Sequence, residues 1–303
     1  MRVLVAGASG MIGTELTRQL AEAGHEVRRL VRRRPQSADE FHWSPSTRMI
    51  DVNVMEAADA VVNLSGASLN HFPWTGATKR RILSSRLEAT GTLTDAMRQA
   101  SRSPAVFLSG SAVGYYGDRP GQKLTEDSAK GTGFLSDVVE AWETAARLAP
   151  EKTRVVLLRT GLVIGRGGAM KPLLPVARLG LAGPIAGGGM HWPWVSLHDE
   201  AAAIVHLLTS AVEGPVNIAG PTPATAGGVL RALAAAGHRP YGLPVPEKAV
   251  TLALQDADPA AGRRLRRPRL DGARRDGAPR GGEVGLTREQ RPAQDRAARA
   301  SER

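Results

Sequence analysis

Cysteine is absent from the 303 residues, which excludes disulfides, thiolate metal sites, iron–sulfur clusters and cysteine nucleophiles. Aromatic side chains make up only 4% of the chain, and its three tyrosines are Tyr115, Tyr116 and Tyr241, so a phenolic acid has few places to stand. No apolar run approaches the roughly 20 residues that a membrane-spanning helix needs. No secretory leader is expected either, because Met1-Arg2-Val3-Leu4-Val5 enters a strand pattern at once. A cytoplasmic protein is the expectation. Carboxylates are fewer than cations, 29 Asp+Glu against 40 Lys+Arg, for a net charge of +11. Over half of that excess lies in residues 258–303, where 13 Arg meet 7 Asp+Glu. The rest of the chain is mildly basic, so net charge alone does not argue for a nucleic-acid partner.

Residues 258–303 also lack every aromatic, Ile and Met, and their large aliphatics are Leu265, Leu270, Val284 and Leu286. Such a stretch buries too little apolar surface to offset its ordering entropy. Residues 256–303 therefore read as a disordered basic tail, or as the product of a shifted reading frame. Without aromatics to stack on bases, nucleic acid is not the expected partner.

What is present is an alternation of strand and helix. Val3-Leu4-Val5-Ala6 is a short apolar run of the kind buried on both faces of a sheet. Residues 25–31, 60–64, 105–108 and 154–158 repeat the pattern. Ile12, Leu16, Leu20 and Ala23 mark a helical stripe ending at Gly24, and residues 85–100 and 136–148 have helical composition. Strands spaced by helices predict an α/β fold, a doubly wound parallel (Rossmann) sheet with right-handed crossovers. From Gly161 to about Pro246 glycine and proline become frequent, as in Gly165, Gly167, Gly168 and Gly187-Gly188-Gly189. Short helices are expected near 172–179 and 199–210, in an irregular lobe over a substrate site. A strand at 215–219 is expected to rejoin the sheet.

Between the first strand and helix, Gly7-Ala8-Ser9-Gly10-Met11-Ile12-Gly13 places glycines first, fourth and seventh. Gly7 permits the tight turn, Gly10 lets backbone approach a diphosphate, and Gly13 lets the helix pack closely on the sheet. The helix N-terminus offers unpaired N–H groups and a positive dipole end. An NAD site ordinarily carries Asp or Glu about 20 residues further on. Here that region reads Leu30-Val31-Arg32-Arg33-Arg34-Pro35. Guanidiniums replace the carboxylate, with charge and fork geometry suited to a 2′-phosphate. NADP is the expected cofactor over NAD, with Arg32 and Arg33 as its ligands. The domain reading is a dinucleotide-binding core at 1–160, completed by about 192–220, a mainly substrate-binding lobe at 161–255, and the tail.

The glycine loop, Val62-Asn63-Leu64-Ser65-Gly66 and Leu108-Ser109-Gly110-Ser111-Ala112-Val113-Gly114-Tyr115-Tyr116-Gly117 together resemble the extended short-chain dehydrogenase/reductases of the epimerase/dehydratase group. The resemblance narrows on Trp74-Thr75, Lys79, Ile82, Ser84-Ser85-Arg86 and Thr90, then on Thr125-Glu126-Asp127-Ser128, the run Leu158 to Val163 and the run Trp194 to Glu200. These look like the branch named epimerase family protein, from Met1 to about Ala253, some of whose members are labelled sugar-nucleotide epimerase or cell-division inhibitor. The resemblance implies cofactor contacts at Leu64, Ser65 and Gly66 and a catalytic Ser111 that hydrogen-bonds a substrate oxygen. It also implies a Tyr acid/base with a Lys four residues on, at the start of the helix after Glu126. There the chain reads Phe134-Leu135-Ser136-Asp137-Val138, so the hydroxyl and the ammonium are both missing. Tyr116 and Tyr115 are the remaining catalytic hydroxyl candidates, with Glu126 and His198 as alternative acids or bases.

Lys79 and Arg86, seven apart on one helix face at the crevice end of the sheet, are candidates for an anionic group, Lys79 on substrate and Arg86 on cofactor. The competing reading is a solvated cationic stripe with Arg80 and Arg81. Arg159 and Trp194 complete the substrate-binding candidates, and Asn217 is either a substrate contact or a turn cap. His191, His198, His206 and Asp199 match no ligand spacing, so no metal is expected. These readings predict an NADP-binding oxidoreductase or epimerase-like enzyme acting on an unknown small substrate, a sugar nucleotide or another anion. The alternative is a catalytically silent NADP(H) sensor or regulatory protein.

Overall fold

In the computed structural model, which describes residues 1–242 apart from Phe72, Ala186 and Gly187, strands and helices alternate as the apolar runs require. In chain order they are β1 (Arg2–Ala6), α1 (Met11–Glu22), β2 (Glu26–Val31), β3 (Glu40–Ser44), β4 (Met49–Ile50), α2 (Val52–Glu56), β5 (Ala60–Asn63), α3 (Gly76–Gln99), β6 (Val106–Ala112), α4 (Phe134–Ala146) and β7 (Arg154–Thr160). Then follow β8 (Leu162–Ile164), α5 (Leu173–Arg178), β9 (His191–Trp192), β10 (Trp194–Ser196), α6 (Leu197–Thr209), β11 (Gly214–Ile218), β12 (Ala224–Thr225) and α7 (Ala226–Ala236). The described residues fall within one compact unit, Met1–Arg266. The expected tail at 256–303, and Gly187 of the glycine run, lie outside the described residues. No helix among the described residues is long and apolar enough to cross a membrane.

Eight strands form one sheet in the order β11-β7-β6-β5-β1-β2-β3-β4. Its pairs are parallel except β3 with β4. The continuous apolar runs follow from burial on both faces. Val3, Val5, Val62, Leu108, Val156 and Leu158 meet Leu16 and Leu20 of α1 and Ile204 and Leu207 of α6. On the other face Leu4, Val61, Phe107 and Leu157 meet Met55 of α2 and Leu93 and Met97 of α3. β11 lies beside β7, pairing Asn217 with Arg159 and Ile218 with Thr160.

Five elements depart from the local reading. α3 begins at Gly76, ahead of both Lys79, which the sequence reading places on a helix, and the stretch of helical composition at 85–100; it is capped by Thr75, whose hydroxyl accepts from the Thr78 N–H. Its Thr90-Gly91-Thr92-Leu93-Thr94 run stays helical because it is buried, and packing outweighs propensity. β3, β4 and α2 fill the stretch that the sequence left unassigned, anchored by Trp43, Val54 and Met55. α7 forms despite Gly227 and Gly228, with Thr225 as its cap.

Glu200, in the first turn of α6, is fully buried (0% exposed). Its Oε1 accepts from the Thr160 hydroxyl at 2.7 Å, while Oε2 has no partner among the described residues. Burial pushes the carboxyl up to about 7 from 4.5, and the Thr160 bond offsets only part of this. The folded state thus holds a proton that the unfolded chain releases. Stability from the neutral form is fully present below pH 4.5 and declines as pH rises through 7, a span worth about 3 kcal/mol. Glu200→Gln, neutral at every pH, should remove this decline when urea unfolding is compared at pH 5 and pH 8. Parallel losses in the two proteins would show that Glu200 ionises normally.

Candidate functional site

Gly7 adopts φ +86, and a Cβ there would lie 2.8 Å from the Leu64 carbonyl. A Cβ on Gly13 would overlap the Gly7 carbonyl oxygen. The β1–α1 turn, Gly7-Ala8-Ser9-Gly10, is therefore clamped between the end of β5 and the first turn of α1. Gly10 caps α1 without a side-chain bond, and the first turn carries no acidic residue. The N–H groups of Met11, Ile12 and Gly13 have no intrahelical acceptor, and no carboxylate competes for them. Chemically this is an anion-binding end.

The opposite bank is Leu64-Ser65-Gly66. Ser65 N–H donates to Asn63 Oδ1 at 3.1 Å, Asn63 Nδ2 donates to Thr90 Oγ1 at 3.0 Å, and Trp142 Nε1 donates to the same oxygen at 2.9 Å. Asn63 and Thr90 are fully buried, so the turn is fixed from below. Arg86 lies under it, donating to the carbonyls of Ile82 and Ala67 at 2.9 and 3.3 Å. Its guanidinium stands 5.0 Å from the Trp142 ring centroid, and burial lowers its pKa to about 10.

At the end of β2 the two expected ligands separate. Arg33 donates to both Glu40 oxygens at 2.7 and 2.6 Å, and the Gln36 N–H joins them at 2.8 Å. Arg33 first, and then the Gln36 N–H, hold the Glu40 carboxyl below its ordinary value. Arg32 is exposed and has no ion pair among the described residues.

Ser111, Tyr115, Tyr116 and Arg159 come together in one network, around a residue that the sequence reading missed. Glu143 of α4 is buried. Its Oε1 accepts from Ser111 Oγ at 2.7 Å and from Arg159 Nε at 2.8 Å, and its Oε2 accepts from Arg159 Nη2 at 3.0 Å. Burial opposes its charge, but the bonds from Arg159 and Ser111 outweigh burial and keep Glu143 below its ordinary value. Arg159, expected to meet substrate, is 2% exposed. Its Nη1 donates to Tyr116 Oη at 2.9 Å and to the Glu126 carbonyl at 3.1 Å, and its guanidinium lies 3.7 Å from the Tyr115 ring centroid. Tyr116, 3% exposed, donates in turn to Asn217 Oδ1 at 2.6 Å. Glu126 Oε1 accepts from the Asn217 N–H at 2.9 Å.

Phe134 opens α4, and Val138 one turn on is buried. Lys79 Nζ stands 5.5 Å from the Phe134 ring centroid and has no ion pair among the described residues. Trp194 donates from Nε1 to the Thr222 carbonyl at 2.9 Å. His198 lies at the surface, 3.6 Å from Glu15. A signal for Glu143 was present: Val139, Trp142, Glu143 and Ala146 share one buried stripe of α4, so a carboxylate there needs a buried cation. Glu143→Gln should strip the buried guanidinium of its counter-charge and lower unfolding free energy by about 3–5 kcal/mol in urea titration. A loss under about 1 kcal/mol would mean that Arg159 reaches water.

Residues 3–219 match the NAD dependent epimerase/dehydratase family. Epimerase family protein MT2273 of Mycobacterium tuberculosis is 38% identical over 255 residues, covering 83% of this chain and 84% of that protein. Epimerase family protein SDR39U1 of Bos taurus is 40% identical over 256 residues, covering 82% and 85%. The crystal structure of human epimerase family protein SDR39U1 (isoform 2) with NADPH superimposes with a TM-score of 0.76 at 35% identity, over 84% of this chain and 85% of that one. With the parallel sheet and the glycine turn at its switch point, these matches establish that the chain belongs to the NAD dependent epimerase/dehydratase family.

Proposed function

We propose that the chain binds NADP(H) and works as an oxidoreductase or epimerase-like enzyme on a small anionic substrate. One observation carries this reading: an uncapped, carboxylate-free α1 N-terminus stands with Arg32 and Arg33 at the end of the next strand. The NADPH named with the human relative supports the choice of the phosphorylated dinucleotide. The residues fit such a group, since Gly7 and Gly13 leave no room for side chains and the helix end faces anions with bare N–H groups.

In this reading the backbone of Gly7-Ala8-Ser9-Gly10-Met11-Ile12-Gly13 holds the diphosphate. Arg32 donates to the 2′-phosphate, and Arg33, its charge balanced by Glu40, stands beside it. Leu64, Ser65 and Gly66 line the facing bank, with Arg86 bracing it. The bound nicotinamide supplies hydride transfer. Ser111 orients a substrate hydroxyl by accepting from it through a free lone pair, because its own hydrogen is held by Glu143. Lys79 holds the anionic group of the substrate, and Trp194 walls the pocket. Arg159 is a positioning residue that sets Tyr116 and Tyr115.

A second reading, a silent NADP(H) sensor, is favoured by a specific observation. The hydroxyls of Ser111 and Tyr116 are already committed to Glu143 and Asn217, and Phe134 offers none. NADPH consumption followed by absorbance over a panel of carbonyl compounds separates the two readings: tight binding without turnover favours the sensor. Calorimetry on the full chain should give one NADPH bound about 10- to 100-fold tighter than NADH, the worth of charge-assisted bonds to the 2′-phosphate. Arg32→Ala should remove that preference and leave NADH affinity unchanged. Equal affinity for both in the wild type overturns the 2′-phosphate assignment, and binding of neither overturns the reading as a whole.

A further inference from the structure

The loop between β8 and α5 touches both banks of the crevice. On one side the Met11 side chain fills the space that three glycines leave open. A Cβ would stand 2.9 Å from Met11 Sδ at Gly165, 3.1 Å from it at Gly167, and 3.0 Å from Met11 Cε at Gly168. Gly168 also has φ +54, where a side chain would strain the backbone. On the other side Asn70, in the loop between β5 and α3, donates from Nδ2 to the Gly168 carbonyl at 2.5 Å. Beyond these contacts the buried Met170 anchors the segment, and the Lys171 N–H closes a turn on the Gly168 carbonyl at 3.1 Å.

Met11 begins the helix whose N-terminus borders the crevice, and Asn70 follows the Leu64–Gly66 bank. β1 and β5 are neighbours in the sheet, and a doubly wound sheet holds its ligand outside the carboxyl ends of the strands at the switch point. A segment fastened to both banks crosses that space. We infer that residues 165–171 form a strap over the diphosphate part of the crevice, with Asn70 as the positioning residue that latches it. This inference rests on the dinucleotide reading above.

The two fastenings differ in kind. The Met11 thioether is apolar and flexible and gives a contact that reseats in many geometries. The Asn70 bond is directional and sets where the strap closes. A dinucleotide beneath the strap leaves only when that bond opens, so Asn70 governs release more than entry.

Stopped-flow displacement of NADPH from the full chain tests this. Asn70→Ala should raise the release rate about fivefold, the effect of one lost neutral hydrogen bond, with the association rate unchanged and the thermal midpoint confirming the fold. Limited trypsin digestion of the wild type gives an independent readout. Saturating NADPH should slow cleavage after the exposed Arg166, and Asn70→Ala should reverse part of that protection. Either an unchanged release rate in the variant or equal cleavage at Arg166 with and without NADPH overturns the strap. A wild type that binds no NADPH at all overturns the cofactor reading beneath it.

Discussion

The carbonyl oxygen of Gly7 occupies the space that a side chain on Gly13 would need, and this single backbone contact sets the geometry of the crevice. It brings α1 down onto the sheet next to β1, so that Leu16 and Leu20 reach Val3, Val5 and Val62. It also aims the uncapped end of the helix across the carboxyl ends of β1 and β5. Gly7 in turn lies against the Leu64 carbonyl, so the two banks are spaced by backbone rather than by side chains. Any Cβ at either glycine would push the helix outward, opening the apolar layer and turning the N–H groups away from the crevice together.

That constraint was legible because it is local: glycines at fixed spacing between a buried strand and an amphipathic helix. The strands were legible for the same reason, since burial on both faces leaves an uninterrupted apolar run. β3, β4 and α2 were not, because their apolar residues are few and become a pattern only once Trp43, Val54 and Met55 find Leu93 and Met97 of α3. The cap and first residues of α3, ahead of Lys79, were hidden by Thr75, Gly76 and Thr78, residues that local propensity assigns to a turn.

The charged side chains show the sharper limit. Sequence supplied three adjacent arginines but could not distinguish them, since what separates Arg33 from Arg32 is Glu40, seven residues on at the start of a neighbouring strand. Arg159 gave a fairer warning. It follows Val155-Val156-Leu157-Leu158 on an interior strand, where an unpaired charge is costly. Its partner Glu143 sits on the apolar stripe of α4, equally out of place alone. Two misplaced charges of opposite sign on elements that pack together are a pairing signal, and reading Arg159 alone as a ligand contact missed it.

The same pair constrains the chemistry of the cleft. Arg159 keeps Glu143 ionised, and a carboxylate held in that state accepts a hydrogen bond from Ser111 without being able to take its proton readily. Ser111 is therefore oriented, with lone pairs free to accept, but is not activated as an acid or a base. Tyr116 is fixed between Arg159 and Asn217 in the same way. Where the resemblance implies a tyrosine and a lysine one helical turn apart, this chain has the Phe134 ring and a buried Val138. Lys79, whose ammonium stands over that ring, comes from a different helix. Among the described residues, the hydroxyls of Ser111 and Tyr116 are thus fixed by Glu143 and Asn217, and Lys79, without an ion pair, is a cation standing over the Phe134 ring.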